Sequence, residues 1–177
     1  MVASGSTEAV VQALALRTVL PANWCGGLAA AKSSAFVSPP VGGLVCVTGR
    51  DVQALAADVD VVPLLQRLSS RFGRACWFRS DDELDEFGWA SAARGEVVRA
   101  YAYRGDDGHV LWQGDVTTTE RALGCFVDDP RDSSDDEVKW WPDRRLVHAV
   151  AAAWAVDPDR LGDGAAHEPA VGAVGRL

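Results

Sequence analysis

An α+β domain built on an antiparallel meander is the fold class the sequence predicts, and three observations predict it. Between Arg74 and Asp115, four runs rich in aromatic, Ala and Val residues are separated by short Gly-bearing or acidic turns, the pattern of consecutive hairpins. Between Asp60 and Gly73, Val61, Leu64, Leu65, Leu68 and Phe72 fall at i, i+3, i+4, i+7 and i+11, one stripe of an amphipathic helix. The chain has 177 residues, 48% hydrophobic and 24% charged, enough to bury a core without disulfides or metal. The expectation is one domain over residues 1–161, a sheet of about five or six strands flanked by helices, and a flexible C-terminal tail over 162–177.

Each element has its own warrant. Thr7 is positioned to cap a short helix carrying Val10, Val11 and Leu14, which Pro21 stops. A turn or helix covers Asn23 to Lys32, weakened by Gly26-Gly27. Ala35 to Ser38 reads as a strand ended by Pro39-Pro40, since proline cannot donate to a ladder, and Leu44 to Thr48 as the next. A short helix over Asp51 to Ala57 leads into the amphipathic one, where Pro63 suits the first turn and Gly73 the C-terminal cap. The meander strands are Arg74–Arg79, Phe87–Ala93, Val97–Tyr103 and Val110–Asp115. Thr117 or Thr118 ahead of Glu120 marks a capped helical turn. Pro142-Asp143 opens a last helix with Leu146, Val147, Val150, Ala151 and Trp154 on one face, and Asp157-Pro158 ends it.

The net charge of −8 argues against a general phosphate-backbone binder, which needs Lys and Arg to displace counterions, so nucleic acid is not an expected partner. The acidity is concentrated: Asp81, Asp82, Glu83, Asp85 and Glu86 form one run, and Asp128, Asp129, Asp132, Asp135, Asp136 and Glu137 with Arg131 another. Such runs are solvated loops or docking surfaces for something cationic. Cys25, Cys46, Cys76 and Cys125 are separated by 21, 30 and 49 residues, without the close pairs of zinc or redox motifs, and read as reduced thiols in the cytoplasm. No apolar stretch approaches the roughly 18 residues of a membrane span, and no membrane partner is expected.

Sites of chemistry are sparse. His109, His148 and His167 form no ligand-spaced pair, and neither a metal nor another cofactor is expected. Cys25, in Asn23-Trp24-Cys25-Gly26-Gly27, is the one thiol that strand packing does not explain, a candidate nucleophile with no nominated base. If Arg94-Gly95 and the loop 105–108 set the registers, Ala90 pairs with Arg99, Gly88 with Tyr101, and Tyr101 with Trp112. One face then carries Arg99, Tyr101, Tyr103 and Trp112 over Gly88, Ala90 and Ala92: a slot with a cationic anchor and aromatic walls, suited to a small anionic or aromatic ligand. The competing reading buries Arg99 against a carboxylate beneath a helix. Trp140-Trp141 follows the second acidic run and cannot turn both rings inward in an extended chain, which leaves one for a partner.

The segments Phe36-Val37-Ser38-Pro39-Pro40-Val41, Phe72-Gly73, Trp89-Ala90, Arg99-Ala100-Tyr101-Ala102-Tyr103, Leu123-Gly124 and Trp154 with Asp157-Pro158 resemble, in their order, a group of small bacterial proteins without an assigned activity. The resemblance spans about residues 22–161 and implies a single domain and a bacterial setting, but no activity, cofactor or site residue. The leading expectation is a non-catalytic interaction module of immunity, adaptor or accessory type. It would bind a basic protein through Asp132, Asp135, Asp136, Glu137, Trp140 and Trp141. The alternative is a small-molecule-binding protein or enzyme that uses the Arg99 slot.

Overall fold

The computed structural model describes residues 1–55, 61–126, 140–161 and 171–177. Among the described residues, nine strands form one antiparallel sheet in the order β2-β9-β3-β4-β1-β5-β6-β7-β8. They are β1 Val2–Ser4, β2 Arg17–Ala22, β3 Ala35–Val37, β4 Leu44–Gly49, β5 Arg74–Asp81, β6 Glu86–Ala93, β7 Glu96–Arg104, β8 Gly108–Gln113 and β9 Gly172–Arg176. The helices are α1 Thr7–Ala13, α2 Trp24–Ala30, α3 Arg50–Leu55, α4 Val61–Phe72, α5 Thr118–Ala122 and α6 Arg144–Trp154. The class is α+β with an antiparallel sheet, as expected, but the sheet is larger.

Side chains alternate across the sheet, and both faces are covered. On the first face Val37, Val45, Val47, Trp77, Ala90, Ala100 and Ala102 pack beneath Val10 of α1 and Leu14 at its C-cap, Val52 of α3, and Val61, Leu64, Leu65 and Leu68 of α4. The α4 stripe read from the sequence is the stripe it buries, and Gly73 ends the helix at φ +80°, a left-handed conformation that favours glycine. The second face has two clusters. Trp24 of α2 packs on Phe36, while Val147 and Val150 of α6 cover Phe87, Trp89, Tyr101 and Tyr103.

Three strands lie where none was expected. β1 is three residues long, too short to show a period, yet it joins β4 to β5. β2 lies at the sheet edge with nearly every residue exposed, so it shows no alternation, and Pro21, expected to stop a helix running from Thr7, sits inside it. The helix itself ends at Ala13, and its cap is Ser6, whose side chain accepts from Ala9 N. Thr7, the expected cap, is buried and donates to Ser38 O at 2.9 Å.

The expectation of a flexible tail over 162–177 is corrected for its last part: β9 inserts between β2 and β3. Its small residues are a packing requirement, because a Cβ on Gly172 would stand 2.4 Å from Val37 O and 2.8 Å from the Phe36 ring. Residues 162–170 lie outside the described residues.

Candidate functional site

The expected slot residues come together, but as a closed core. A bulge between Ser91 and Ala92 leaves Val98 without a partner, so Ser91 pairs with Arg99, Trp89 with Tyr101 and Phe87 with Tyr103. The expected pairing of Ala90 with Arg99 and Gly88 with Tyr101 is therefore corrected by one position, while Tyr101 does face Trp112. A one-residue slip moves a whole strand's side chains to the other face. Trp89 and Phe87 thus share the face of Arg99, and Gly88, Ala90 and Ala92 belong to the first face.

Arg99 and Tyr101 are fully buried and Tyr103 is 8% exposed, so the open slot does not exist. Phe126 and Trp140 fill it: the Phe126 ring centroid lies 4.4 Å from Trp140, 4.8 Å from Tyr101 and 4.8 Å from Trp112. The Arg99 guanidinium stands 4.3 Å from the Trp112 centroid and 5.3 Å from that of Phe126.

The carboxylate under the helix is Glu120. Its Oε1 accepts from Arg99 Nε at 2.8 Å and from Trp89 Nε1 at 2.8 Å, and both members of the ion pair are 0% exposed. Its Oε2 accepts from Thr117 N at 2.6 Å, and Glu120 N donates to Thr117 Oγ1 at 3.2 Å, the reciprocal cap of α5. One side chain therefore caps the helix and clamps it to the sheet. Arg99 Nη1 donates to Ala100 O at 3.1 Å, Gln113 O at 3.3 Å and Gly114 O at 3.4 Å. The capping pattern was legible in the sequence; that the same carboxylate is buried against Arg99 was not.

Among the described residues, the remaining groups offer no nucleophile with a base. Cys25 is exposed in the first turn of α2, whose cap Asn23 accepts from Gly26 N at 2.8 Å. Burial, then the Glu120 charge, pushes the Cys125 thiol up to about 12, so it stays protonated at neutral pH. Burial also raises Cys46 and Tyr101 and lowers His109, whose Nδ1 lies 3.0 Å from the Tyr101 hydroxyl. His148 Nδ1 meets the exposed Asp159 at 3.0 Å. Among the described residues no cluster of three His, Cys, Asp or Glu side chains could hold a metal, and no helix is long and apolar enough to cross a membrane.

The acidic surface is larger at one end of the sheet than the sequence suggests. The β5–β6 turn carries Asp82, Glu83 and Asp85, all exposed, and the β7–β8 turn carries exposed Asp106 and Asp107. Gly105 N donates to Asp85 O at 2.9 Å, which binds the two turns together. Arg79 and Arg104 share the Glu86 carboxylate behind them, Arg104 at 3.0 Å, and Arg144 of α6 pairs with Asp82.

Two large apolar side chains are exposed here: Leu84 within the first turn is 60% exposed, and Trp141, 5.5 Å edge-on from Tyr103, is 50% exposed. Trp140 points the other way, into the Phe126 cluster. Asp132, Asp135, Asp136 and Glu137, named as partner-binding, lie outside the described residues. In the sequence Asp106 and Asp107 read as turn residues; their charge joins the patch because antiparallel strands return both turns to the same end.

Among known proteins, no family model, no curated sequence and no solved structure matches the chain.

Proposed function

We propose that the chain is a non-catalytic interaction module, of immunity, adaptor or accessory type, that docks a basic protein partner on the acidic end of its sheet. The observation that carries this reading is the joining of two acidic turns by the Gly105 to Asp85 hydrogen bond, with Leu84 and Trp141 exposed beside them. Charge there steers a cationic surface, and an exposed tryptophan and leucine supply the apolar anchors that hold it. The net charge of −8 disfavours nucleic acid and anionic membrane surfaces as partners. The four unpaired thiols favour a reducing setting, in this reading the bacterial cytoplasm.

The test uses the full chain, 15N-labelled, titrated at low salt with a synthetic peptide that alternates Lys and Arg with Leu. Saturable shifts are expected at residues 81–86, 103–109 and 141. They weaken as ionic strength rises, because the Debye length falls to about 10 Å at 0.1 M. Combining Glu83→Gln, Asp85→Asn and Asp106→Asn removes exposed charge without touching the core, so it weakens the peptide and leaves the melting temperature within about 2 °C. The absence of saturable shifts, or shifts that survive the triple substitution, overturns the reading.

A further inference from the structure

At the end of the first face, two adjoining cavities open between α3 and the ends of β5, β6 and β7. The inner one, about 160 Å³, is walled by Val47, Val52 and Trp77. The outer one, about 330 Å³, is bounded by Arg50, Glu86, Arg104 and Leu84. Gln53, Arg79 and Asp81 line both.

The charges in this cleft are unevenly satisfied. Arg104 is committed to Glu86 at 3.0 Å and to Asp107 at 3.5 Å, and Asp81 Oδ1 accepts from the amides of Glu83 and Leu84 at 3.1 Å each. Arg79 gives Nη2 to Glu86, but its buried Nε has no hydrogen-bond partner among the described residues. Arg50, an exposed residue of α3 that lines the outer cavity, forms no ion pair among the described residues. A buried N–H without an acceptor is costly, and a guanidinium N–H is matched best by an oxyanion. One orphaned N–H and one uncommitted guanidinium give room for one such group, and Val47, Val52 and Trp77 form the apolar part of the inner wall.

We propose that this cleft binds a small molecule carrying a single oxyanion on an apolar body, with the oxyanion held by Arg50 and Arg79. Arg79 is fixed by Glu86 before the ligand arrives, so its side chain loses little freedom on binding. Leu84 borders both sites, but Trp141 and Asp82 of the docking surface do not line the cleft, and the basic peptide and the oxyanion are separate probes, so each proposal is tested on its own.

Two probes distinguish the oxyanion: phenyl phosphate and phenylacetate, each titrated into the 15N-labelled full chain, with inorganic phosphate and benzyl alcohol as the two halves. At least one phenyl oxyanion should shift the amides of residues 50–54 and 77–81 saturably, about tenfold more tightly than either half. Arg50→Gln, at an exposed side chain, should weaken it about fivefold with the melting temperature unchanged. Arg79→Lys keeps the charge and removes Nε, and should weaken it further; if that variant fails to fold, Arg50→Gln carries the result. The proposal is overturned if neither phenyl oxyanion binds, if benzyl alcohol binds as tightly as they do, or if folded Arg50→Gln binds them equally well.

Discussion

At Arg99 a guanidinium is held where water cannot follow: Glu120 and three backbone carbonyls receive its Nε and Nη1, while Nη2 has no hydrogen-bond partner among the described residues. Removing one member of a buried pair leaves the other charged and alone, so Arg99→Ala should cost about 3–5 kcal/mol in a denaturant melt. Replacing both, as Arg99→Met with Glu120→Met, should recover part of that loss, because no lone charge remains. It should not recover all, since Trp89 Nε1 and Thr117 N lose their acceptor, at about 1–3 kcal/mol for a buried orphan. A double variant no more stable than Arg99→Ala would mean that hydrogen bonding, and not charge pairing, is what Glu120 supplies. His109 offers a second measurable effect. Burial lowers its pKa in the fold below the ordinary 6.5, so the unfolded chain binds the proton first on acidification. The stability this contributes is present above pH 6.5 and is lost as pH falls from there through the folded value. His109→Gln should flatten the melting temperature against pH in that window relative to the native chain; identical curves would show that the ring titrates as freely as in water.

At the scale of elements, legibility followed the strength of the local pattern. α4 and α6 carry apolar stripes with capping residues at their ends, and the meander strands are bounded by Gly-bearing turns, so all are readable from neighbours in sequence. β1, β2 and β9 owe their existence to partners far along the chain. Gly172-Ala173-Val174-Gly175-Arg176 has almost no strand propensity and is a strand because β2 and β3 flank it. The candidate site was half legible for the same kind of reason. The aromatic residues and Arg99 were found, but the bulge that drops Val98 from the ladder shifted their faces, and no local signal marks a bulge between Ser91 and Ala92. The dependence of β9 on shape is testable. Gly172→Val drives a side chain into Val37 O and the Phe36 ring, so it should destabilise by more than an ordinary overpacking cost of about 1–3 kcal/mol, whereas Val171→Thr, at an exposed position just before the strand, should be nearly neutral. Equal melting temperatures for the two variants would mean that β9 docks less closely than the geometry requires.

At the scale of the whole molecule, the two faces share one ladder of backbone hydrogen bonds, so neither core can be lost without exposing the other side of the same strands. Trp77 on the first face and Trp89 on the second occupy the adjacent strands β5 and β6, where Trp77 pairs with Ala90 and Trp89 with Phe78. A strand that releases its second-face packing also loses the alignment that keeps its first-face residues under α4. The expectation is a single cooperative transition. Far-UV circular dichroism reports the sheet and helices together, while fluorescence is weighted to the second face, where Trp89, Trp112, Trp140 and Trp154 belong to one cluster. The two signals should trace coincident denaturant curves. Leu65→Ala, fully buried in α4, should move both midpoints together at a cost of about 2–5 kcal/mol, and Val150→Ala, fully buried in α6 on the other face, should move both by a smaller amount. If fluorescence instead falls at lower denaturant than circular dichroism, and Val150→Ala shifts only the fluorescence, then the layer of α5, α6 and Trp140 opens as its own unit. The Arg99–Glu120 pair would in that case stabilise the layer and not the sheet.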